Sequence, residues 1–259
     1  MSALDISINE QGIARLVLNN PEKHNAFDAV LINDLDQAIQ DCQSDKKVKL
    51  LILSAQGPHF SSGADLNWMA SMAQFDHDTN LQDARKLEHL MRTLYHCEKP
   101  TLAQVQGRVF GGGIGLVACC QIVIADAQAQ FCFSEVKLGL IPAVISPYVI
   151  QAIGLRRARA CFLTAEVFSA AQALAWGLCH EIVESNTLAD RINHVAQQLL
   201  HNSPLALQAV NKLCHTLAPL PDQIGELTSK IIADLRVSPE GQEGIQAFLN
   251  KRTPNWVYS

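Results

Sequence analysis

The sequence has little charge, few aromatic residues and no dense basic run. Of its 259 residues, 17% are charged and 6% are aromatic. The 25 acidic side chains outnumber the 20 basic ones, which gives a net charge of −5. Because proteins bind nucleic-acid backbones largely through clustered Lys and Arg side chains, we expect no nucleic-acid partner.

Signals for membranes and secretion are also missing. Residues 109–125 and 138–155 carry no charge, but they contain only 17 and 18 residues and are interrupted by glycine, glutamine or proline, whereas a helix that spans a bilayer needs roughly 20 apolar residues. The N-terminal MSALDISINEQG carries Asp5 and Glu10, and it lacks the basic segment and following apolar segment of a secretory signal. We therefore expect a cytoplasmic protein with no membrane partner.

The eight cysteines and nine histidines form no recognisable metal or disulfide motif. No C-x-x-C, H-x-H or H-E-x-x-H spacing occurs, so we expect no bound metal. Most cysteines lie in apolar runs, where a reduced thiol packs as a small hydrophobe, and we expect them to be buried and free. The G-x-S-x-G motif of a serine nucleophile is absent as well.

What the sequence does have is apolar residues, 48% of the total, in alternating strand and helix patterns. Runs rich in strand formers at residues 15–18 and 48–55 flank a helix that Asp28 can cap. The apolar positions of this helix are Val30, Leu31, Leu35, Ala38, Ile39 and Cys42. Further strands are expected at residues 101–106, 122–126 and 179–183. The alternation predicts an α/β fold with mostly parallel strand pairing.

The C-terminal part of the chain has a different character. A helix that begins with the capping box SAAQ at residues 169–172 should end at Gly177. From about residue 187 only helical periodicity remains, and it is broken at residues 203–204, 219–221 and 238–239. We therefore predict a core domain over residues 1–190 and a helical region over residues 191–259.

Residues 107–116, GRVFGGGIGL, place five glycines in nine positions between a strand and a helix. Such a density of glycine lets a ligand approach the backbone closely. The first N–H groups of the following helix have no intrahelical acceptor, and the helix dipole is positive at that end. The segment therefore predicts a backbone site for developing negative charge, whereas a tight turn alone would need fewer glycines.

The same segment also fits a dinucleotide-binding motif. Residues 113–118, GIGLVA, match G-x-G-x-x-A, and Glu135 lies 22 residues after Gly113. That motif needs its acidic residue at the tip of the next strand, which here ends at Asp126, only 13 residues after Gly113. The intervening helix is too short, so this alternative is disfavoured.

Two further segments carry candidate chemistry. Residues 60–66, FSSGADL, follow a strand and offer backbone donors, although a loop that Asp65 caps is the alternative. Glu135 lies in the apolar segment FSEVKLGLIP at residues 133–142. Apolar surroundings raise the pKa of a carboxyl group and suit it to acid/base catalysis. The alternative is a solvated Glu135 paired with Lys137 or a nearby arginine.

Four segments taken in order carry a resemblance to a known family. They are residues 21–27 (PEKHNAF), 62–66 (SGADL), 107–116 and 134–142 (SEVKLGLIP). Together they resemble the enoyl-CoA hydratase/isomerase (crotonase) family, and AFLNKR at residues 247–252 looks like its C-terminus. The likeness covers nearly the whole chain. It implies a crotonase-like spiral of β-β-α units, followed by a helical trimerisation region, in a homotrimer or homohexamer.

The resemblance implies an acyl-CoA thioester substrate and no separate cofactor, because coenzyme A is part of the substrate. The oxyanion hole of the family, which binds the thioester carbonyl, maps onto the N–H groups of Ala64 and Gly112. The catalytic acid/base maps onto Glu135. The residues expected around coenzyme A are Lys23, His24, Ala26, Ala64, Asp65, Leu66 and Lys251.

One catalytic position departs from the family pattern. Two glutamates usually serve the hydratases, and the position of the first is Gly115 in this chain. A single Glu135 can still hydrate a double bond by syn addition, or another side chain can hold the water. Isomerisation needs one base that carries a proton between C2 and C4, so the missing acid favours a Δ3,Δ2-enoyl-CoA isomerase as the alternative.

A second departure favours a hydratase. Where hydratases commonly carry G-G-T-Q after the proline, this chain reads AVISPY at residues 143–148. Together with ADLNWM at residues 64–69 and GGIGLV at residues 112–117, this looks like bacterial methylglutaconyl-CoA-type hydratases of leucine and branched-acyl breakdown. We therefore predict an enoyl-CoA hydratase with 3-methylglutaconyl-CoA or a related branched acyl-CoA as candidate substrate. A non-catalytic binder of CoA thioesters, which would not need Glu135, is the alternative of another class.

Overall fold

The structure is a computed structural model that describes residues 3–257. Its strands are β1 (Leu4–Ile8), β2 (Ile13–Leu18), β3 (Leu50–Ala55), β4 (Thr101–Val105), β5 (Arg108–Phe110), β6 (Ile122–Asp126), β7 (Gln130–Cys132), β8 (Phe168–Ser169) and β9 (Glu181–Val183). A six-stranded sheet has the order β1-β2-β3-β4-β6-β9, and a three-stranded sheet has the order β5-β7-β8. The pairs β1–β2 and β7–β8 are antiparallel. Every other pair is parallel, as predicted.

Helices follow and cover these strands. They are α1 (Ala29–Ser44), α2 (Leu66–Met72), α3 (His77–Tyr95), α4 (Gly112–Cys119), α5 (Ser146–Ile153), α6 (Leu155–Thr164), α7 (Ala170–Trp176), α8 (Leu188–Leu200), α9 (Pro204–Leu217), α10 (Ile224–Val237) and α11 (Pro239–Leu249). Single 3-10 turns occupy Pro21–Lys23, Glu135–Leu138 and Ser185–Thr187. Within residues 3–257, no helix combines the length and the apolar character needed to cross a membrane.

The predicted capping residues of α1 and α7 are confirmed, but one residue of α1 was assigned to the wrong face of the helix. Asp28 caps α1, since its Oδ1 accepts the N–H of Leu31 at 2.8 Å. Val30 was expected on the buried face but is 64% exposed. It lies five residues before the buried Leu35, and at 3.6 residues per turn this places it roughly 140° around the helix from that face.

Seven of the eight cysteines are buried and all eight are free, in agreement with the prediction for those seven. Cys214 is exposed, so the expectation that it is buried is wrong. The reason is its helix, since α9 buries none of its residues in this chain. The apolar run around Cys214 therefore faces away from the core.

The C-terminal helices do not form a separate layer. Leu188 and Ile192 of α8 pack on the six-stranded sheet beside Leu50 and Ile52. The predicted boundary between residues 190 and 191 thus falls inside α8, and the division into two domains stays a prediction. Beyond α9, α10 packs against α3, and α11 packs against α2 and the Glu135–Leu138 turn. The end of the chain therefore reaches the segments on which the candidate chemistry rests.

Candidate active site

The glycine-rich segment turns the chain sharply from β5 into α4. Gly111 has a φ of 51°, in the left-handed region that glycine adopts without strain. Gly112 is the first residue of α4, so its N–H has no intrahelical acceptor. Gly113 packs so closely that a Cβ atom there would lie 3.0 Å from the Cβ of Ser61. The glycines therefore bring the start of α4 against the loop that contains Ser61.

Ala64 lies in that loop, held by backbone bonds on both sides. The N–H of Phe27 donates to the carbonyl of Gly63, and the N–H of Asp65 donates to the carbonyl of Phe27, both at 2.7 Å. These bonds leave the N–H of Ala64 out of the pairing. Among the residues that the structure describes, neither this N–H nor that of Gly112 has a hydrogen-bond acceptor. Both donors remain available to a ligand.

Glu135 begins a 3-10 turn after β7, and its carboxyl group points inward. A Cβ atom on Gly111 would lie 3.2 Å from Glu135 Oε1, which puts the carboxyl group beside the turn into α4. Glu135 Oε2 is buried, and within residues 3–257 it has no hydrogen-bond partner. This burial raises the pKa of Glu135 to about 7. No ion pair joins it to Lys137 or an arginine in that range, so the alternative of a solvated, paired glutamate is wrong.

A single cavity of about 320 Å³ brings Ala64, Gly112 and Glu135 together. Its apolar lining includes Phe27, Trp68, Met69, Met72, Leu87, Ile145, Ile232, Ile245 and Phe248. In such low-dielectric surroundings, donors that are already in position stabilise developing charge more strongly than water does. The cavity can therefore hold a carbonyl whose oxygen becomes negative, next to a carboxyl group that exchanges protons near neutral pH.

The place of a second carboxyl group is filled. A Cβ atom on the buried Gly115 would overlap the Cγ2 methyl of Ile145 and lie 3.0 Å from Met91 Cε. Ile145 itself lines the cavity, so it stands between Gly115 and the ligand space. Glu135 is the single acidic residue among the described residues that line the cavity.

The residues expected around coenzyme A lie outside the cavity, apart from Ala64. Lys23 Nζ donates to Asp65 Oδ2 at 3.0 Å. Asp65 Oδ1 also accepts the N–H groups of Asn67 and Trp68 and so caps α2. Burial raises the pKa of Asp65, but these hydrogen bonds outweigh it and lower the pKa overall. Asp65 thus has the capping role named as the alternative, and a role in binding coenzyme A stays a prediction.

The other residues expected around coenzyme A are His24, Ala26, Leu66 and Lys251. His24 has a left-handed φ of 51°, and its ring lies 5.0 Å from that of His59. Ala26 is buried and Leu66 is exposed. Lys251 follows α11 on the surface, also with a positive φ. Contacts of these four residues with coenzyme A stay predictions.

One charged residue at the cavity escaped the sequence reasoning. Arg236 on α10 lines the cavity and is 6% exposed. Its Nη1 donates to Asp83 Oδ2 at 2.9 Å, and Asp83 Oδ1 accepts the indole N–H of Trp68 at 3.2 Å. Arg236 and Asp83 are 153 residues apart, so no local motif joins them. The available signal was Asp83 itself, an acidic residue among the buried positions of α3.

The chain is similar in sequence and in structure to known proteins. The family model for enoyl-CoA hydratase/isomerase matches residues 8–258. A crystal structure of an enoyl-CoA hydratase from Shewanella pealeana is 44% identical, with a TM-score of 0.81, over 98% of this chain and 96% of that one. The 2,3-dehydroadipyl-CoA hydratase of Escherichia coli is 31% identical over 99% of both chains. The enoyl-CoA isomerase/hydratase fer4 of Mycosarcoma maydis is 31% identical over 96% of this chain and 94% of its own.

These likenesses confirm the crotonase-like α/β fold, a spiral core with a C-terminal helical region. They extend over nearly the full length of the chain and of the relatives. The chain belongs to the enoyl-CoA hydratase/isomerase family.

Proposed function

We propose that this protein is an enoyl-CoA hydratase, which adds water across the 2,3-double bond of an enoyl-CoA thioester. The observation that carries the proposal is the grouping of Glu135 with the free N–H groups of Ala64 and Gly112 in one apolar cavity. Two such donors lower the energy of an enolate oxygen, and one of them is typically worth about 10²–10³-fold in rate. The reaction needs only water besides the thioester, so we propose no cofactor.

The proposed mechanism uses Glu135 twice. Its carboxylate takes a proton from water while the hydroxide forms a bond to C3. The electron pair of the double bond moves to the thioester oxygen, where the N–H groups of Ala64 and Gly112 stabilise the enolate. The protonated Glu135 then gives the same proton to C2 and the carbonyl re-forms. A pKa of about 7 suits both steps, since the group accepts and returns a proton at neutral pH.

Isomerisation between Δ3- and Δ2-enoyl-CoA is the second candidate. It is favoured by the filled space beside Gly115, because a single base can remove the C2 proton and return it at C4. The relative from Mycosarcoma maydis carries both activities in its name. We place hydration first because the Escherichia coli and Shewanella pealeana relatives are named as hydratases.

The finer proposal concerns the acyl group. The segments at residues 64–69 and 143–148 look like those of methylglutaconyl-CoA-type hydratases, so 3-methylglutaconyl-CoA or a related branched acyl-CoA is the proposed substrate. The Escherichia coli relative is named for 2,3-dehydroadipyl-CoA, whose acyl chain also ends in a carboxylate. That name is a reason to include CoA thioesters of dicarboxylic acids among the substrates tested.

An absorbance assay tests the proposal. We expect loss of the conjugated enoyl-thioester absorbance with 3-methylglutaconyl-CoA or crotonyl-CoA, without added metal or nicotinamide and with no effect of EDTA. Mass spectrometry should find a product heavier by one water. A 3-enoyl-CoA that gains conjugation without gaining mass would instead identify an isomerase. Thioester binding without turnover of any panel member would identify a non-catalytic binder.

We also propose that the chain assembles as a homotrimer or homohexamer. The apolar residues on α9 are exposed in the single chain, with Leu205 at 77% and Leu217 at 75%. Val210 and Leu213 are also more than half exposed. Because monomers rarely leave such an apolar patch open, a second copy is its natural cover. Sedimentation velocity should give three or six copies of the 28.3 kDa chain, and a monodisperse, active monomer would contradict the proposal.

A further inference from the structure

A buried ion pair stands at the wall of the cavity. Arg236 and Asp83 are 6% and 8% exposed, and 2.9 Å separates Arg236 Nη1 from Asp83 Oδ2. The two partners differ in their access to the ligand space, because Arg236 lines the cavity and Asp83 does not. The carboxylate therefore lies behind the guanidinium, away from the ligand space.

Among the described residues, most N–H donors of the Arg236 guanidinium group have no acceptor. An arginine carries five N–H donors in a planar fork, whereas the described residues offer Arg236 one side-chain acceptor, Asp83 Oδ2. Arg236 Nε is buried, and within residues 3–257 it has no hydrogen-bond partner. An unsatisfied donor on a buried charge is costly, so its position in the wall of an apolar cavity points to a ligand acceptor.

Arg236 and the proposed thioester site share one cavity, and Trp68 lies beside the guanidinium group. The guanidinium carbon lies 5.9 Å from the centre of the Trp68 ring. Trp68 belongs to α2, whose capping residue Asp65 directly follows Ala64, and both Trp68 and Ala64 line the cavity. A thioester whose carbonyl accepts the N–H of Ala64 would therefore place its acyl chain in the cavity that Trp68 and Arg236 also line.

The other cations of the cavity differ from Arg236. Arg252 is committed to a two-bond pair with Glu243, at 2.6 and 2.7 Å. Lys137 is exposed to solvent. Most other side chains that line the cavity are apolar, and they include Met69, Met72 and Ile232. A neutral acyl chain would leave the spare donors unmatched there, whereas an anionic oxygen would satisfy them.

We propose that Arg236 binds a carboxylate at the end of the acyl chain, so that the substrate class is enoyl-CoA thioesters of dicarboxylic acids. The proposal rests on the proposed function for the placement of the thioester at Ala64 and Gly112. Asp83 is the positioning residue, because its carboxylate accepts one hydrogen bond from Arg236 and another from the indole N–H of Trp68, which fixes the guanidinium group. The ligand carboxylate then extends a network of hydrogen bonds that joins the Trp68 indole, Asp83 and Arg236.

Binding of two saturated thioesters tests this without any turnover. Glutaryl-CoA and pentanoyl-CoA have acyl chains of equal length, and only glutaryl-CoA ends in a carboxylate. We expect calorimetry to give a Kd for glutaryl-CoA at least about 10-fold below that for pentanoyl-CoA, the usual scale of a hydrogen bond to a charged group. Equal affinities for the wild-type protein would overturn the proposal.

A paired variant assigns the preference to Arg236. Removing Arg236 alone would leave Asp83 buried and unpaired, so the variant is Asp83→Asn/Arg236→Gln, in which both groups are neutral. It should lose the 10-fold preference while its Kd for pentanoyl-CoA changes by less than about threefold. A preference that persists in this folded variant would place the carboxylate elsewhere. If the variant does not fold, the wild-type ratio decides.

These experiments distinguish a failure of the Arg236 proposal from a failure of the proposed hydratase function. A glutaryl-CoA preference in a protein that turns over no enoyl-CoA would sustain the role of Arg236 and remove the hydratase proposal. Hydration of crotonyl-CoA together with equal affinities would do the reverse. As a kinetic counterpart, glutaconyl-CoA should exceed 2-pentenoyl-CoA in kcat/KM by a similar factor.

Discussion

Replacing Glu135 with glutamine should lower turnover of the best enoyl-CoA substrate by about 10²–10⁴-fold, the usual value of a positioned proton transfer. Glutamine keeps the shape of the side chain but cannot take a proton from water or return one to carbon. Thioester affinity should change little, because the ground state uses the carboxyl group less than the transition state does. Steady-state kinetics and a binding titration with a saturated thioester measure the two effects separately.

The matched control is Glu166→Gln, which makes the same change on an exposed glutamate of the same chain. It should leave kcat within about twofold, as surface substitutions usually do. A Glu135→Gln variant that keeps more than about a tenth of wild-type turnover would remove Glu135 from the mechanism. Since the carboxylate is the active form, wild-type kcat/KM should also fall on the acid side of the pKa of about 7, with a single limb.

The same variant should be more stable than the wild type at pH 8. The pKa of Glu135 is about 7 in the folded chain, against 4.5 for an ordinary glutamate. The folded state therefore holds more protons between these values, and wild-type stability falls as pH rises through that window. Thermal unfolding should show the gain of Glu135→Gln in Tm shrinking from pH 8 to pH 5. This readout also establishes that the variant is folded.

Removal of the N–H of Gly112 should cost about 10²–10³-fold in kcat, the value of one oxyanion donor. Proline at position 112 removes the donor, and the first position of a helix tolerates its ring. It also adds a Cβ atom, which would lie 2.7 Å from the Phe27 ring. Alanine adds the same atom and keeps the N–H. The ratio of Gly112→Ala to Gly112→Pro therefore isolates the hydrogen bond.

Both variants are best made in a Phe27→Leu background, which relieves the contact with the ring. Steady-state kcat is the measurement, with circular dichroism to establish that each protein is folded. If the proline and alanine variants turn over at the same rate, the N–H of Gly112 does not stabilise the transition state. The oxyanion hole would then need another donor at the start of α4.

The parts of the fold that could be predicted are those that local chemistry decides. β6 has the predicted bounds, and α7 has its capping box at Ser169 and its left-handed end at Gly177. A strand with four successive apolar residues or a capped helix carries its signal within a few positions of sequence. β5, β7 and β8 have two or three residues each and escaped prediction, because pairing with one another forms them rather than any run of residues.

The residues of the candidate site also differ in whether the sequence could predict them. Glu135, Ala64 and Gly112 could be found because each belongs to a contiguous motif, and the structure places all three at one cavity. The pair of Arg236 and Asp83 joins α10 to α3, and such a contact exists only once the chain has folded. The obstruction beside Gly115 also depends on α5, which begins some 30 residues later in the chain.

The packing of Ile145 against Gly115 sets the order in which a second acid could be acquired. A glutamate at position 115 would enter a space that the isoleucine already occupies, so that change alone would destabilise the protein before any new chemistry could be selected. Trimming Ile145 first opens a void that costs stability but keeps the chain folded. We therefore expect an evolving or designed lineage that gains a second carboxylate here to acquire a smaller residue at position 145 first.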